Sequence, residues 1–364
     1  MAKPDLQVLM LGTALDARGG VASVLCTLRD AGLFELCGVH YVATNGPGGS
    51  MRKLLLASSA FIKAAWLMTG GRAKIVHIHT SSFTSFWRKT PFLALALALN
   101  KKLIISLHGG AFKEFYAGRG PLAQAWIRLV LRRSRRFIVL TQSWRDWAEQ
   151  IEPLARVIVI PNAVKIPSTP LVAESSEPDL LLFLGRIEAE KGLEVLLQAL
   201  VKAHSQGAHW RLACGGSGNI EAMQILAKTL GLHIDAVQFL GWLDDTDKQA
   251  WLQRCSLLVL PSLIENMPVS VLEAFAAGKP VIATRVGGLP DMVHPEIDGW
   301  LVEAGNSDDL AAALVGAFSQ TSQLSRMGNN AQQKARAKYS SHFVVDLLSK
   351  VFDEVGADNI NGSI

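Results

Sequence analysis

Ten short apolar runs recur along this chain of 364 residues, each the length of a buried strand. Five fall at residues 8–12, 75–80, 103–107, 137–141 and 157–160, with stretches of helical length between most of them. After a Pro- and Ser-rich segment, residues 161–178, the alternation restarts at 180–184, 210–214, 237–240, 257–260 and 281–284. A strand that is apolar on both faces must be covered on both faces, and strands alternating with helices form parallel sheets wrapped by helices. The expected fold is therefore α/β, with two Rossmann-like domains separated by a linker. Residues 1–165 form the first and 166–341 the second, and a C-terminal helix at about 342–364 is expected to pack back on the first.

Composition narrows the class. Apolar residues make up 49% of the chain and charged residues 18%, a packed globular profile with a positive mean hydropathy. Cys26, Cys37, Cys214 and Cys255 lack C-x-x-C spacing, so buried thiols in a reducing compartment are expected rather than disulfides or zinc. No signal peptide is read ahead of the first strand, and the apolar stretches near 54–69 and 91–99 are interrupted or too short to span a bilayer. The expected location is cytoplasmic, peripheral on the inner face of the cell membrane. Charge is unevenly divided: residues 1–170 hold 22 Lys and Arg against 8 Asp and Glu, net +14, and residues 171–364 hold 14 against 23, net −9. Such asymmetry points the first half at an anionic membrane surface. Nucleic acid is not expected, because the basic residues are not interleaved with aromatics and no zinc-finger, homeodomain or RNP-type signature is present.

The segment from Ser262 to Gly278 is the most informative about chemistry. It places Glu265 directly after an apolar strand and Glu273 within a short helix. Asn266 reads as the N-cap, Pro268 as a first-turn residue, and Gly278 with Pro280 as the stop. Free backbone N–H groups at that helix start favour a phosphate, while Glu265 accepts hydrogen bonds from hydroxyls, and Asn266, Met267, Pro268 and Val269 are read as lining the donor site. That combination suits a nucleotide sugar. Arg186 and Lys191 follow the first strand of the second half, where two cations neutralise a departing diphosphate without a metal. Gly19 and Gly20 leave the first strand and open a helix, allowing backbone amides to approach phosphates, and Gly216 belongs to a second glycine-rich loop read as lining the donor site. Trp242 and Leu243 border the expected base pocket. His108 ends a strand ahead of Gly109 and Gly110, where side chains of α/β sheets reach ligands. His77 and His79 alternate on a strand without a carboxylate nearby in sequence, so no metal site is expected there.

These residues resemble the retaining glycosyltransferases of family 4, the group 1 transferases with the GT-B fold. The likeness is strongest in Leu184-Gly-Arg-Ile-Glu-Ala-Glu-Lys-Gly192 and in the E-x7-E spacing of Glu265 and Glu273 followed by Pro-Val-Ile-Ala-Thr to Thr284. Ile160-Pro-Asn162, Phe239-Leu-Gly-Trp242 and Gly287-Gly-Leu-Pro290 support it. The resemblance implies two facing domains with the donor cleft between them, Glu265 at the donor sugar hydroxyls, Glu273 at the ribose, and His108 beside the sugar, where it steadies developing charge. It also implies a front-face transfer, with retention, of a hexose from a uridine or guanosine diphosphate donor to a lipid-linked or oligosaccharide acceptor, with neither metal nor cofactor. The setting would be bacterial-type polysaccharide or glycolipid synthesis. Asn266-Met267-Pro268 replaces the family's frequent Gly-Phe-Gly, and Asp291 stands where Glu is usual, so the sugar is left open. A catalytically silent GT-B scaffold that binds saccharide or lipid is the alternative, opposed by intact Arg186, Lys191, Glu265 and Glu273. A nicotinamide oxidoreductase is disfavoured because the first strand leads into Arg18-Gly-Gly-Val rather than a full G-x-G-x-x-G.

The basic residues concentrate at 128–136, where Arg128, Arg132, Arg133, Arg135 and Arg136 alternate with apolar neighbours. This reads as a basic amphipathic helix facing either solvent or anionic lipid, with the apolar stretch 54–66 as a candidate addition to the same surface.

Overall fold

A computed structural model describes residues 7–167, 177–233 and 235–357. The middle of the expected linker and the end of the expected C-terminal helix, residues 168–176 and 358–364, lie outside the described residues. The chain separates into two compact units, Met1–Ala163 with Ser341–Ile364 and Val164–Ser340.

The first unit is a six-stranded sheet of β1 (Val8–Gly12), β2 (Val39–Ala43), β3 (Ile75–Thr80), β4 (Lys102–Leu107), β5 (Arg136–Val139) and β6 (Val157–Val159). Their order is β2-β1-β3-β4-β5-β6, with every pair parallel. β1 and β3 are buried along their whole length, which is why their sequences read as unbroken apolar runs apart from the polar members of β3. Phe86, Phe92, Phe112, Phe115, Phe137 and Trp144 fill the core beside them. The helix Ser341–Ala357 belongs to this unit, where Lys102 Nζ donates to the Gly356 carbonyl at 2.7 Å and Arg136 pairs with Glu354 at 3.1 Å.

The second unit repeats the architecture with β7 (Leu180–Leu184), β8 (Arg211–Gly215), β9 (Val237–Gly241), β10 (Leu257–Leu260), β11 (Val281–Thr284) and β12 (Gly299–Val302). The order is β12-β11-β10-β7-β8-β9, again all parallel. Each sheet therefore has six strands where five apolar runs were expected. The added strands, β2 and β12, are edge strands, and edge strands need not be apolar throughout: β2 alternates exposed, half-buried and buried residues, so it leaves a weak signal.

In both units the strand order reverses once. In the first the reversal separates β1 from β3, and in the second it separates β7 from β10. Loops leaving the carboxyl ends of strands diverge at such a point, which opens a crevice for a ligand.

Candidate functional site

In the second unit the loops following β7 and β10 meet at the reversal point. Gly192 adopts φ 69°, and a Cβ there would lie 2.0 Å from the Pro261 carbonyl oxygen. Only glycine permits this approach. The Leu263 amide donates to the Glu190 carbonyl at 2.8 Å and locks the loops together. The consequence is chemical. Lys191 Nζ meets Glu265 Oε1 in a direct ion pair, and Ser262 Oγ donates to the same carboxylate oxygen at 3.0 Å. Glu265 is buried, and its own carbonyl is pinned by Gly287, where a Cβ would fall 1.7 Å from that oxygen.

The helix after this loop is Val269–Ala276. Its N-cap is Pro268, at φ −67° and ψ 129°, rather than the expected Asn266. The reason lies in the proline, whose ring disfavours helical backbone at the preceding Met267, so the helix starts after Pro268. Asn266 and Met267 are both buried beneath the loop. Gly278, at φ 69°, terminates the helix as expected. Glu273 lies in the middle of the helix, not at its start, and pairs with Lys248 of the helix Asp245–Arg254 at 2.6 Å. Burial raises the Glu273 carboxyl above the usual range, against the opposing pull of Lys248.

The remaining second-unit residues line the neighbouring strand ends. Gly216, at φ 154°, lies under the loop that carries Arg186, for a Cβ there would meet the Gly185 carbonyl at 1.7 Å. Leu243 packs over Gly215, and Trp242 beside it is largely exposed. Arg186 is exposed and pairs with Glu188 at 2.8 Å. Of the two expected cations, then, Lys191 is built into the buried loop junction and Arg186 reaches into solvent.

The first unit gathers histidines. His77 and His79 on β3 have ring centroids 4.3 Å apart, His77 Nε2 lies 2.8 Å from Ser106 Oγ, and His79 Nδ1 lies 2.9 Å from His108 Nε2. The His108 amide donates to the Thr80 carbonyl at 2.9 Å, and its side chain also bonds Asn162. Gly109 allows this turn, since a Cβ would strike Ser81 and Ser82. Burial lowers His108 to about 4, opposed by the Asn162 bond, and burial with the repulsion of His108 lowers His77 to about 3. His79 is pushed well below its ordinary value by burial first, and then by the repulsion a charge there would meet from His77, His108 and Lys89. The array is neutral at physiological pH, so His108 acts there as a hydrogen-bonding group and not as a cation. Among the described residues, no group of three or more His, Cys, Asp or Glu is arranged to hold a metal ion. Gly19 caps the helix Gly20–Asp30 at φ 138°, with no atom within 4 Å of where a Cβ would stand.

Known sequences and structures decide the family. Residues 6–166 match the sequence model of Glycosyltransferase Family 4, and residues 178–320 match that of Glycosyl transferases group 1. The chain belongs to the group 1 glycosyltransferases of family 4. Among curated relatives, the amylovoran biosynthesis glycosyltransferase AmsK of Erwinia amylovora is 25% identical over 185 residues, 49% of this chain and 46% of that protein. The matched portion thus spans less than half the length of the relative. In solved structures, sucrose-phosphate synthase from Thermosynechococcus elongatus superposes with TM-score 0.80 at 19% identity, covering 96% of this chain and 99% of that one. Anabaena HepE, solved in complex with UDP-glucose, gives TM-score 0.73 at 16% identity, covering 95% and 99%. These likenesses show the GT-B fold.

Two side chains near these strand ends were not singled out from the sequence. Lys89 is buried in the first unit, donating to the Gly12 carbonyl at 3.3 Å and to Thr44 Oγ1, and burial with nearby Arg88 brings it down to about 7. A signal existed, because Lys89 shares a helical face with buried Phe86, Leu93 and Ala96. Lys248, the partner of Glu273, carried none: in sequence it is one more surface-type lysine three residues after Asp245. The arginine-rich segment needs correction. Its helix is Pro121–Arg133, so Arg135 lies beyond it and Arg136 opens β5. Arg132 is held by buried Glu152 at 2.9 Å and Arg136 by Glu354 at 3.1 Å, while Arg128, Arg132 and Arg133 are the exposed arginines of the helix. All four cysteines are thiols, and Cys37, Cys214 and Cys255 are buried.

Proposed function

We propose that this chain transfers a hexose from a UDP- or GDP-linked donor to a lipid-linked or oligosaccharide acceptor, with retained configuration and without a metal, in bacterial-type polysaccharide or glycolipid synthesis at the inner face of the cell membrane. The observation that carries this reading is the Lys191–Glu265 pair, built into the loop junction at the carboxyl ends of β7 and β10 and followed at once by a helix N-terminus. A nucleotide sugar needs all three elements: a cation and open amides for its phosphates, and a carboxylate for its hydroxyls. HepE, which shares the fold, was solved with UDP-glucose, and the name of AmsK places it in amylovoran biosynthesis.

In the proposed reaction the bond between the anomeric carbon and the diphosphate oxygen breaks with its electron pair leaving on the phosphate. The acceptor hydroxyl oxygen bonds that carbon on the same face, and its proton passes to the departing diphosphate. Lys191 and Arg186 stabilise the growing phosphate charge. Glu265 orients the sugar hydroxyls, and Glu273 takes the ribose in exchange for part of its bond to Lys248. Gly19, Gly20 and Gly216 let backbone approach the donor, Trp242 and Leu243 border the base, and Asn266 to Val269 present the helix start. His108 supplies a neutral hydrogen bond beside the sugar.

The test is transfer from a panel of uridine and guanosine diphosphate sugars in the presence of a chelator, with the product linkage assigned by nuclear magnetic resonance. Transfer with the donor's anomeric configuration is expected. Activity that vanishes in chelator and returns with magnesium or manganese, or a product of inverted configuration, overturns the mechanism. Nucleotide binding without transfer to any acceptor of either class would favour the silent scaffold.

A further inference from the structure

The helix Ser50–Thr69 carries two apolar faces, and only one is used by the core. Ala60, Ala64, Leu67 and Met68 are buried. On the other side Met51, Leu54, Leu55, Ile62 and Trp66 remain exposed, from 54% to 70% of their surface. At about 100° per residue these five project within an arc of roughly 120°, nearly opposite the buried face. Monomeric soluble proteins seldom leave an apolar stripe of this kind along a whole helix, and its length of about 30 Å is set by the rise per residue.

The charges beside the stripe say what covers it. Arg52 and Lys63 lie eleven residues apart, hence on one line of the helix along one flank of the stripe. The Arg72 guanidinium stacks over the Trp66 ring at 4.2 Å, at the end of the stripe. The helix itself has no acidic residue, and from Glu35 to Glu114 the chain has none at all, while ten Lys and Arg fall in that interval. Apolar side chains flanked by cations, on a helix that no acid neutralises, complement the acyl boundary and the phosphates of an anionic bilayer. Among the described residues no helix is long and apolar enough to cross a membrane, so this one would lie in the plane.

We infer that the helix Ser50–Thr69 is an in-plane docking surface for an anionic lipid bilayer, inserting Leu55, Ile62 and Trp66 beneath the headgroups while Arg52, Lys63 and Arg72 bind lipid phosphates. The inference deepens the proposed membrane setting, yet its test needs neither donor nor acceptor, so it fails independently of the transfer reaction. It also moves the contact away from the arginine-rich helix, where Arg132 is already committed to Glu152.

The full chain is floated with vesicles of phosphatidylcholine alone and of equimolar phosphatidylcholine and phosphatidylglycerol, at low and high salt. The wild type is expected to float with the anionic vesicles, less so at high salt, and to stay behind with the neutral ones. The pair Leu55→Glu with Ile62→Glu should lower partitioning about tenfold or more with unchanged thermal melting, because both positions face solvent. Arg52→Glu with Lys63→Glu should weaken flotation, and Arg133→Glu should leave it unchanged. A second readout tolerates any loss of stability in the charged pair: anionic vesicles should blue-shift tryptophan emission of the wild type, and Trp66→Phe should remove most of that shift while still floating. Wild-type protein that does not float, or equal flotation after the Leu55/Ile62 substitutions, overturns the inference. So does a wild-type dimer in sedimentation that those substitutions convert to monomer, for the stripe would then face a second copy. Loss of flotation in Arg133→Glu alone would return the contact to the arginine-rich helix.

Discussion

The two units use one sheet architecture under opposite electrostatic conditions. At the reversal point of the second, the buried Glu265 side chain meets the Lys191 amine and the Ser262 hydroxyl, an acid set against a base. At the strand ends of the first, His77, His79 and His108 bond to one another, to Ser106 and to Asn162, and burial holds them neutral. Parallel sheets place side chains at their carboxyl ends in both cases, so the sheet does not set the chemistry. It is set by whether each buried group has an oppositely charged partner.

If charge is what the second unit contributes, removing the cation should have the largest effect. Lys191→Ala is expected to lower the rate of sugar transfer by about 10²–10³, the usual cost of deleting one preorganised transition-state contact. Arg186→Ala, whose side chain is exposed and shared with Glu188, should cost less. Steady-state kinetics on both variants would rank them, and an equal or reversed ranking would break the comparison as drawn.

The histidines give the next largest effect. A histidine whose folded value lies below its unfolded value of about 6.5 contributes stability that is fully present above pH 6.5 and is lost as pH falls toward the folded value. With His77 at about 3 and His108 at about 4, the window runs from pH 6.5 down to about 4 for His108 and to about 3 for His77. Between pH 6.5 and 5 each such group is worth up to about 2 kcal/mol. Denaturant unfolding at pH 7 and pH 5 should therefore show a marked loss in the wild type and a smaller one in His77→Asn, and identical losses would sink the neutral-histidine account.

Glycines sharpen the contrast at the level of packing. Gly192→Ala places a methyl against the Pro261 carbonyl as well as imposing a left-handed backbone, and should destabilise the protein by about 2–4 kcal/mol. Gly19→Ala meets no atom within 4 Å and bears the backbone term alone, about 1–2 kcal/mol. Chemical denaturation of the two variants would test the order. The smallest effect concerns ligand preference. Glu273→Ala is expected to weaken the affinity for free nucleoside diphosphate about tenfold, one good hydrogen bond to a charged group, while Glu265→Ala leaves it nearly unchanged and impairs use of the sugar donor. Calorimetry that finds the reverse would exchange their roles.

Sequence by itself determined the α/β class, because strands buried on both faces must be written as apolar runs, and ten of the twelve strands were legible for that reason. It also singled out the segments of the candidate site, since Arg186 to Lys191 and Glu265 to Glu273 follow such runs directly. The edge strands β2 and β12 were not legible: β2 mixes polar and apolar residues, as a strand with one side free can, and β12 is only the four residues Gly299–Val302. Nor were the partners. Lys191 and Glu265 are 74 residues apart and Lys248 and Glu273 are 25 apart, and their pairing follows from strand order and from glycines that let loops touch. Asn266 has the side chain of an N-cap, yet the proline two residues on moved the helix start past it. Arginines 128–136 look equivalent in sequence, but Glu152 and Glu354 claim two of them, and the exposed apolar stripe lies on another helix altogether. Local pattern records how deeply an element is buried, since burial selects residue type position by position. Which charge meets which is recorded in no single segment, because it depends on the order in which strands assemble.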